Sequence, residues 1–119
     1  MTTTTTTTRH VIEGAALSHA LPSVTLPQLI RERARQHPDD IALVDAASGR
    51  SSTYGEGDLL IGRCAAGLAA QGFKPGDVLV IFAPNSIDWP IAALGAMAAG
   101  GVVSGANPKI GRASCRERV

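Results

Sequence analysis

Five apolar residues follow one another at Val78–Phe82 with no polar position between them. A strand with one face in water alternates apolar and polar side chains, so an unbroken run predicts a strand that is covered on both faces. Strands of that kind occur in parallel sheets, where helices lie on the two faces. Residues 78–82 are therefore predicted to form the buried strand around which the neighbouring elements are arranged.

The residues after this strand predict a helix and a second strand. Apolar side chains recur there at helical spacing, at Ile91, Leu94 and Met97 or Ala98. We expect Asn85 or Ser86 to cap the helix by accepting from its free N–H groups, and Gly100-Gly101 to end it, since glycine adopts left-handed angles easily. Val102–Ser104 is then a short strand parallel to the first, because strand–helix–strand units of this kind are parallel crossovers.

Two capping boxes mark helix starts in the first half of the chain. In such a box a Ser or Thr hydroxyl caps the helix, and a Glu or Gln three residues later reaches back. Thr25 and Gln28 predict a helix over Leu26–Gln36, which Pro38 ends. Its inward face is expected to carry Leu26, Leu29, Ile30 and Ala34, and its outward face Arg31, Glu32 and Arg35.

A β-hairpin is predicted between the two helix starts. Its strands are Ile41–Asp45 and Ser51–Tyr54, and Ser48-Gly49 lies in its turn. Together with the later strand–helix–strand unit, this pattern predicts an α/β fold. The expected architecture is a β-hairpin plus a βαβ unit with helices packed on a sheet.

The second capping box, Thr53 and Glu56, predicts a helix that runs to about Gln71. Its buried side chains are expected to be Leu60, Cys64 and Leu68, with Ile61, Ala65 and Ala69 beside them. Gly62 or Gly67 is expected to allow close contact between this helix and the sheet.

Length and charge exclude several classes of function. The 119 residues suffice for one small domain, and 45% apolar with 18% charged residues is a globular composition. The net charge is +1, of which residues 110–119 contribute +2, so the rest carries −1 and offers no basic field for nucleic acid. Residues 89–108 are uncharged, but Pro90, several glycines and many alanines favour a buried helix and strand over a membrane span.

Cysteine and histidine positions favour neither a disulfide framework nor a metal site. The two cysteines are Cys64 and Cys115, and neither has metal-binding spacing with the three histidines, His10, His19 and His37. Cys64 lies on an apolar helical face and is interpreted as a small buried hydrophobic residue. The N-terminus lacks the basic and then apolar layout of a secretory signal, so a cytoplasmic location is expected.

Several short motifs occur in an order that points to a known family. They are Gly76-Asp77-Val78, Pro84-Asn85-Ser86, the Ala/Gly-rich helix from Ile91 to Gly101, and Gly105-Ala106-Asn107-Pro108. In this order the chain resembles the early N-terminal part of the acyl-adenylate-forming (AMP-binding) enzymes, most closely the 4-coumarate–CoA ligase and fatty-acid–CoA ligase group. The resemblance covers about residues 21–108 and corresponds to roughly the first fifth of the family's usual length.

The resemblance implies a parent enzyme of fatty acid metabolism or related acyl chemistry. Such an enzyme uses ATP, Mg²⁺ and coenzyme A: a carboxylic acid attacks the α-phosphorus of ATP, pyrophosphate leaves, and the thiol of coenzyme A then displaces AMP. The family's phosphate-binding loop, acidic motif and catalytic lysine do not occur here, and Lys74 and Lys109 are the only lysines. We therefore assign no catalytic, cofactor-binding or metal-binding residue, and we expect the fragment to hold no cofactor and to be inactive.

The best place for any ligand is the crevice at the carboxyl end of strand 78–82, beside a helix N-terminus. Asn85 and Ser86 lie there, and capping or turn formation is favoured for them over ligand contact. Asn107 is likewise interpreted as a turn former, and Trp89 as a core or interface anchor in preference to a stacking platform. The nearby aspartates show no pairing for acid–base work: Asp58, Asp77 and Asp88.

Both ends of the chain are expected to lie outside the domain. Residues 1–20, which include Thr2–Thr8, are predicted to be a disordered Thr-rich leader, and residues 21–109 the truncated start of an AMP-binding N-terminal domain. Residues 110–119 can be back-translated as ATC GGA AGA GCG TCG TGT AGG GAA AGA GTG, which resembles a widely used sequencing adapter. We expect a translated adapter there in preference to a genuine basic C-terminus, and reading the source DNA beyond Pro108 tests this.

Two alternatives to an acid–CoA ligase stay open. One is another enzyme of the same superfamily, either an adenylation domain or a luciferase-like ligase. The other is a small non-enzymatic α/β binding module, which predicts a complete sheet with protected edges. The ligase interpretation predicts instead a carboxylic acid and coenzyme A as partners of the parent, the missing remainder of its own domain as partner of the fragment, and exposed apolar surface near Val102.

Overall fold

The computed structural model describes residues 14–16, 18 and 20–108. In chain order its elements are α1 (Leu26–Gln36), β1 (Ile41–Val44), β2 (Ser51–Thr53), α2 (Tyr54–Ala70), β3 (Val78–Phe82), α3 (Asp88–Ala98) and β4 (Val102–Ala106). The three helices pack against one another, the antiparallel β1–β2 hairpin contacts α2, and α3 packs on the parallel β3–β4 sheet. The predicted α/β architecture, a hairpin plus a βαβ unit with packed helices, is confirmed.

Some predictions fall on residues that the structure does not describe. The leader predicted over residues 1–20 lies mostly outside the described residues, and the adapter predicted over residues 110–119 lies wholly outside them. Both therefore stay predictions. Among the described residues, no helix combines the length and the apolar character that crossing a bilayer requires.

Both predicted capping boxes are present and begin α1 and α2. At α1, the Thr25 amide donates to Gln28 Oε1 at 2.8 Å and the Gln28 amide donates to Thr25 Oγ1 at 3.4 Å. At α2, the Thr53 amide donates to Glu56 Oε2 at 3.0 Å and the Glu56 amide donates to Thr53 Oγ1 at 3.2 Å. Each box satisfies two backbone donors that the helix itself leaves free.

Replacing Thr53 with alanine is expected to lower the free energy of unfolding by about 1 kcal/mol, because one amide of the first turn of α2 loses its acceptor. Urea denaturation followed by circular dichroism measures the change. Thr53→Ser keeps a hydroxyl at the same position and is the matched control. An equal loss of stability in both variants would contradict a capping role for this side chain.

The start of α3 differs from the prediction. Ile87 is the N-cap residue, its backbone is already helical (φ −57°, ψ −33°), and no side chain caps the helix. The predicted capping by Asn85 or Ser86 is therefore wrong; Ser86 contributes only its carbonyl oxygen, which accepts from the Trp89 amide at 3.3 Å. Ile87 adopts helical backbone angles because its side chain is buried in the core. A side-chain cap is also needed less, because Pro90 has no backbone N–H to satisfy.

The helices meet in a core that is rotated from the predicted one. The core cluster consists of Ile61, Ile87 and Ile91, against which Ile30, Leu43 and Leu94 pack. On α2, Ile61 is 4% exposed whereas Leu60, predicted to be buried, is 40% exposed. Residues 59–61 are apolar in a row, so periodicity leaves the inward direction of α2 open, and contact with α3 selects Ile61.

Helix α1 uses only one edge of its predicted apolar face. Ala34 is buried and Ile30 packs on the core, but Leu26 and Leu29 are 51% and 47% exposed. The outward position predicted for Arg31 is confirmed, and its Nε lies 3.3 Å from Asp58 Oδ1 of α2. This ion pair is solvent-exposed and contributes little to stability, so α1 is held mainly by its contacts at Ile30 and Ala34.

The turn of the hairpin is built around the Asp45 carboxylate. Its Oδ1 accepts from the Ala47 amide at 2.9 Å and its Oδ2 accepts from the Ser48 hydroxyl at 2.7 Å. Gly49 follows with φ +72°, a left-handed angle that glycine adopts without strain. The hydrogen bond from Ser48, and then that from Ala47, holds the pKa of Asp45 below its ordinary value.

Because the folded-state pKa of Asp45 is depressed, its contribution to the turn is present above the ordinary carboxyl pKa and is lost as pH falls through the folded-state pKa. We expect an NMR titration to give a lower pKa for Asp45 in the unmodified chain than in a Ser48→Ala variant. Asp45 lies in a surface turn and is only half-buried, so the effect on global stability is small. An unchanged Asp45 pKa in the variant would contradict the assignment of the cause.

Strands β3 and β4 pair in parallel with an unbroken register from Val78↔Val102 to Phe82↔Ala106. The second strand was predicted to end at Ser104, and the pairing extends it to Ala106. Gly100 adopts φ +84° after α3, as predicted, and its amide donates to Met97 O at 3.0 Å. The glycines of the crossover thus turn the chain directly from α3 into β4.

The prediction that β3 is covered on both faces is wrong for this chain. Leu79 and Ile81 are half-buried on the side of α3, whereas Val78, Val80 and Phe82 on the other side are 58%, 60% and 69% exposed. The sequence of β3 suits a strand between two layers, and the described residues form one of those layers. The exposed apolar surface that the ligase interpretation predicted near Val102 is confirmed, since Val102 is 54% exposed.

Candidate functional site

The crevice predicted at the carboxyl end of β3 is present. Because β3 and β4 are parallel and in register, Phe82 and Ala106 end at the same edge of the sheet. The loop after β3, the first turn of α3 and the segment after β4 enclose a concavity of about 430 Å³ there, lined by residues 83–85, Trp89 and residues 105–108. This is the place at which open parallel sheets bind their ligands.

The indole of Trp89 forms one wall of this crevice. Trp89 lies in the first turn of α3 and is half-buried. Its ring lies over the backbone of β4, because a Cβ atom built on Gly105 would be 3.5 Å from Trp89 Cζ2. The ring therefore anchors α3 against β4, as predicted, and it also lines the concavity.

The asparagines and the serine predicted for this region are divided between two hollows. Asn85 and Asn107 line the main crevice, from the loop after β3 and the end of β4 respectively. Ser86 lines a second hollow of about 260 Å³, between the hairpin residues 43–46 and Ile87, and Asn85 lines this hollow as well. The structure thus brings Asn85 together with Asn107 in one hollow and with Ser86 in the other.

Charged side chains stand apart from the crevice. Asp88 pairs with Arg50 at 3.2 Å, Asp58 pairs with Arg31, and Asp77 Oδ2 accepts from the Lys74 amide at 2.8 Å. Among the described residues, the crevice lining contains neither a cation nor a carboxylate. Within the described ranges, no three His, Cys, Asp or Glu residues come close enough together to hold a metal ion.

An uncharged lining of this kind does not fit a nucleoside triphosphate with its Mg²⁺ ion. Binding of a triphosphate needs several cations or a row of amides, and Mg²⁺ needs carboxylate oxygens. The main crevice offers two asparagine amides, one indole, two prolines and small residues. The described residues of the crevice therefore supply no charged group for ATP chemistry.

Cys64 lies at a tight contact between α2 and α3. The sequence instead predicted a close contact at Gly62 or Gly67, between α2 and the sheet. A Cβ atom on Gly95 of α3 would lie 2.6 Å from Cys64 Sγ, whereas a Cβ on Gly62 or Gly67 would meet nothing within 4 Å. The close approach predicted for Gly62 or Gly67 is therefore wrong. Cys64 is half-buried and packs as a small hydrophobic residue into the notch left by Gly95.

Gly105 is the residue of the crevice that sequence reasoning missed. It was noted only as part of the Gly105–Pro108 motif, yet the Trp89 ring packs beside it, at van der Waals distance (3.5 Å) from the position of a Cβ atom there. A glycine inside a predicted strand is itself a signal of close approach by another group. Extending the second predicted strand past Ser104 would have revealed this signal.

Comparison with known proteins gives one family and several relatives. The model of the family "AMP-binding enzyme" matches residues 30–119. Among curated proteins, the chain is 38% identical over 112 residues to the 4-coumarate–CoA ligase-like 9 protein of Oryza sativa subsp. japonica. That alignment covers 92% of this chain and 20% of the relative. The chain thus spans about a fifth of the length of this relative.

Solved structures give the same picture. A fatty acyl CoA synthetase of Mycobacterium tuberculosis superposes with a TM-score of 0.67 and 30% identity, over 71% of this chain and 17% of that chain. The N-terminal subdomain of NpsA from Klebsiella oxytoca, solved in complex with anthranilyl-AMSN, superposes with a TM-score of 0.70 and 26% identity, over 77% and 24% of the two chains.

Proposed function

This chain belongs to the AMP-binding enzyme family, and on that premise we propose that it is the N-terminal part of an ATP-dependent, AMP-forming carboxylic acid–CoA ligase. The family resemblance predicted from its motifs, closest to the 4-coumarate–CoA and fatty-acid–CoA ligases, is confirmed by its relatives. The observation that carries the proposal is the family match over residues 30–119 together with the similarity of both sequence and fold to CoA ligases and acyl-CoA synthetases.

The contribution of the described residues to this function is a scaffold. Helix α3 packs on one face of the β3–β4 sheet and is itself held by α1 and α2, and the carboxyl ends of both strands open into the crevice. The described part of the crevice lining carries no charged side chain, and we propose that the groups that bind ATP and Mg²⁺ in the parent enzyme are supplied by other segments. The 119-residue chain is accordingly proposed to be inactive, and a cytoplasmic parent is kept as part of the proposal.

The remainder of the AMP-binding domain is the proposed partner of this scaffold in the parent enzyme. The outward side of β3, with Val80 and Phe82 more than half exposed, has the composition of an interior sheet face. In a protein of the relatives' length, other segments are available to cover it. The acid that is activated is proposed only as a class, an aryl or fatty carboxylic acid, since the relatives carry both names.

A chimeric enzyme tests the proposed function. Residues 21–108 would replace the aligned segment of the rice 4-coumarate–CoA ligase-like 9 protein, and pyrophosphate exchange and CoA-thioester formation would be measured with 4-coumarate. We expect both reactions to persist, because the replaced segment supplies scaffold and crevice walls. The same rice protein with this segment deleted is the inactive control, and a folded chimera that forms no adenylate would refute the proposal.

The isolated 119-residue chain is measured in the same pyrophosphate-exchange assay. We expect no exchange above the blank with 4-coumarate or with a medium-chain fatty acid, because the described lining of the crevice offers no charged side chain for phosphate binding. Any turnover that scales with the concentration of the chain would show that the fragment is active.

A second candidate is an adenylation enzyme that stops at the acyl-adenylate. The observation that favours it is the likeness to the NpsA subdomain, which was solved in complex with anthranilyl-AMSN and superposes with a TM-score of 0.70, against 0.67 for the fatty acyl CoA synthetase. The CoA-binding groups of the chimera come from the rice protein, so the chimera does not separate the two candidates. The full-length gene does: its product would exchange pyrophosphate but form no CoA thioester if this alternative holds.

A further inference from the structure

The crevice at the carboxyl ends of β3 and β4 has a described lining that is neutral without being wholly apolar. It encloses about 430 Å³, and its walls include the indole of Trp89 and the amide side chains of Asn85 and Asn107. Trp89 is half-buried, whereas both asparagines are exposed in the segments that follow the two strands. Concave sites with mostly apolar walls and a few convergent polar groups are typical of small-molecule binding.

This lining favours one chemical class of ligand. A phosphate or carboxylate group would find no cation among the described lining residues. An alkyl chain would fill the crevice but would take the asparagine amides out of water without giving them a hydrogen-bond partner. A flat, neutral ring with donors and acceptors along its edge suits both features, because its face can pack on the indole while its edge meets the amides.

We infer that this crevice binds an adenine ring, which is the neutral part of both ATP and coenzyme A. The choice of adenine rests on the proposed function, which supplies these two nucleotides as substrates. Asparagine recognises adenine through two hydrogen bonds: its amide oxygen accepts from the N6 amino group and its amide nitrogen donates to N7. The N6 and N1 atoms offer the same pair of partners to a second asparagine, and bases stack on tryptophan.

Gly105 keeps room for the ring beside Trp89. A Cβ atom at this position would lie 3.5 Å from Trp89 Cζ2, so the outer atoms of a larger side chain would extend along the indole and occupy the crevice. The ribose and the phosphates then lie outside the crevice, in agreement with its uncharged described lining. Gly105→Val is consequently expected to block the binding of adenine, while a β-branched residue is well tolerated in a strand.

An NMR titration of the ¹⁵N-labelled 119-residue chain with adenosine tests the inference. Trp89 is the only tryptophan of the chain, so its indole N–H gives a single signal from the wall of the crevice. We expect this signal to shift saturably, and we expect Asn85→Ala and Asn107→Ala each to weaken binding several-fold. Ser86→Ala, at a residue that lines the second hollow, is the matched control and is expected to bind adenosine like the unmodified chain.

The choice of ligand tests the chemistry directly. Inosine has an oxygen in place of the N6 amino group and is expected to bind several-fold more weakly than adenosine. Tighter binding of 5′-AMP than of 3′,5′-ADP would identify ATP as the source of the ring, and the reverse would identify coenzyme A; either result supports the inference.

Four results would overturn the inference. They are the absence of any shift up to the solubility limit of adenosine in a folded chain, equal binding of inosine, undiminished binding by both asparagine variants, and tighter binding of 4-coumarate than of adenosine. The titration needs no turnover, so an inactive chimera alongside normal adenosine binding would contradict the proposed function alone. An active chimera alongside absent binding would contradict the adenine site alone.

Discussion

Replacing Ile61 with alanine is expected to lower the free energy of unfolding by about 2–4 kcal/mol, a large share of what a domain of this size possesses. Ile61 is 4% exposed and is one of three isoleucines that form the core, with Ile87 and Ile91. Alanine removes its outer methyl and methylene groups and leaves a cavity where α2 meets α3. Urea denaturation measured at a concentration where the chain is monomeric gives the change.

The neighbouring Leu59 provides the control for this prediction. It lies on the same helix but is 55% exposed, so Leu59→Ala is expected to change stability by less than about 1 kcal/mol. The two substitutions remove similar amounts of apolar side chain and differ in burial alone. Equal losses for the two variants would show that α2 does not present Ile61 to the core.

Replacing Gly95 with alanine is the second change with a large expected effect. The added Cβ would lie 2.6 Å from Cys64 Sγ, 2.7 Å from Cys64 Cβ and 3.4 Å from Ile61 O, so α2 and α3 must move apart. Overpacking of this kind costs about 1–3 kcal/mol, whereas alanine gains about 1 kcal/mol over glycine in helix propensity. At the upper end of its range the packing cost is the larger of the two. We expect a net loss of stability in urea denaturation.

Two further variants isolate the cause of this loss. Gly62→Ala adds the same group to α2 where nothing lies within 4 Å, and is expected to raise stability by up to about 1 kcal/mol. Cys64→Gly removes the atoms that the new Cβ meets, so in its background Gly95→Ala is expected to cost less than in the unmodified chain. Independent, additive effects of Cys64→Gly and Gly95→Ala would contradict a direct contact.

The elements of the fold could be read from local signals because their causes are local. A capping box, such as Thr53 with Glu56, is closed by residues three apart, so the sequence contains both partners. The left-handed glycine after α3 acts through its own backbone angle. For α3 the local signal misled: Asn85 and Ser86 are good capping residues, but burial of Ile87 set the start of the helix.

The orientation of each helix could not be read in the same way. Residues 59–61 are all apolar, and only the position of α3 decides that Ile61 faces inward. A glycine likewise shows that space is left free without showing what fills it. Gly62 and Gly67 face open space, whereas the space beside Gly95 is filled by Cys64.

The place of the candidate site was predictable, whereas its chemical character was only partly so. Parallel pairing of β3 with β4 follows from the strand–helix–strand pattern, and a crevice at their carboxyl ends follows from the pairing. The described crevice lining is uncharged because the carboxylates of Asp77 and Asp88 make contacts outside the crevice, with the Lys74 amide and the Arg50 side chain respectively. Those contacts involve backbone and side chains that no motif specifies.

The one-sided cover of the β3–β4 sheet has a consequence for biosynthesis. The valines and phenylalanine of β3 and β4 are in water from the moment this segment folds until another segment covers them. Transiently exposed apolar strands make a folding chain prone to aggregation, so early cover of this sheet protects the growing polypeptide.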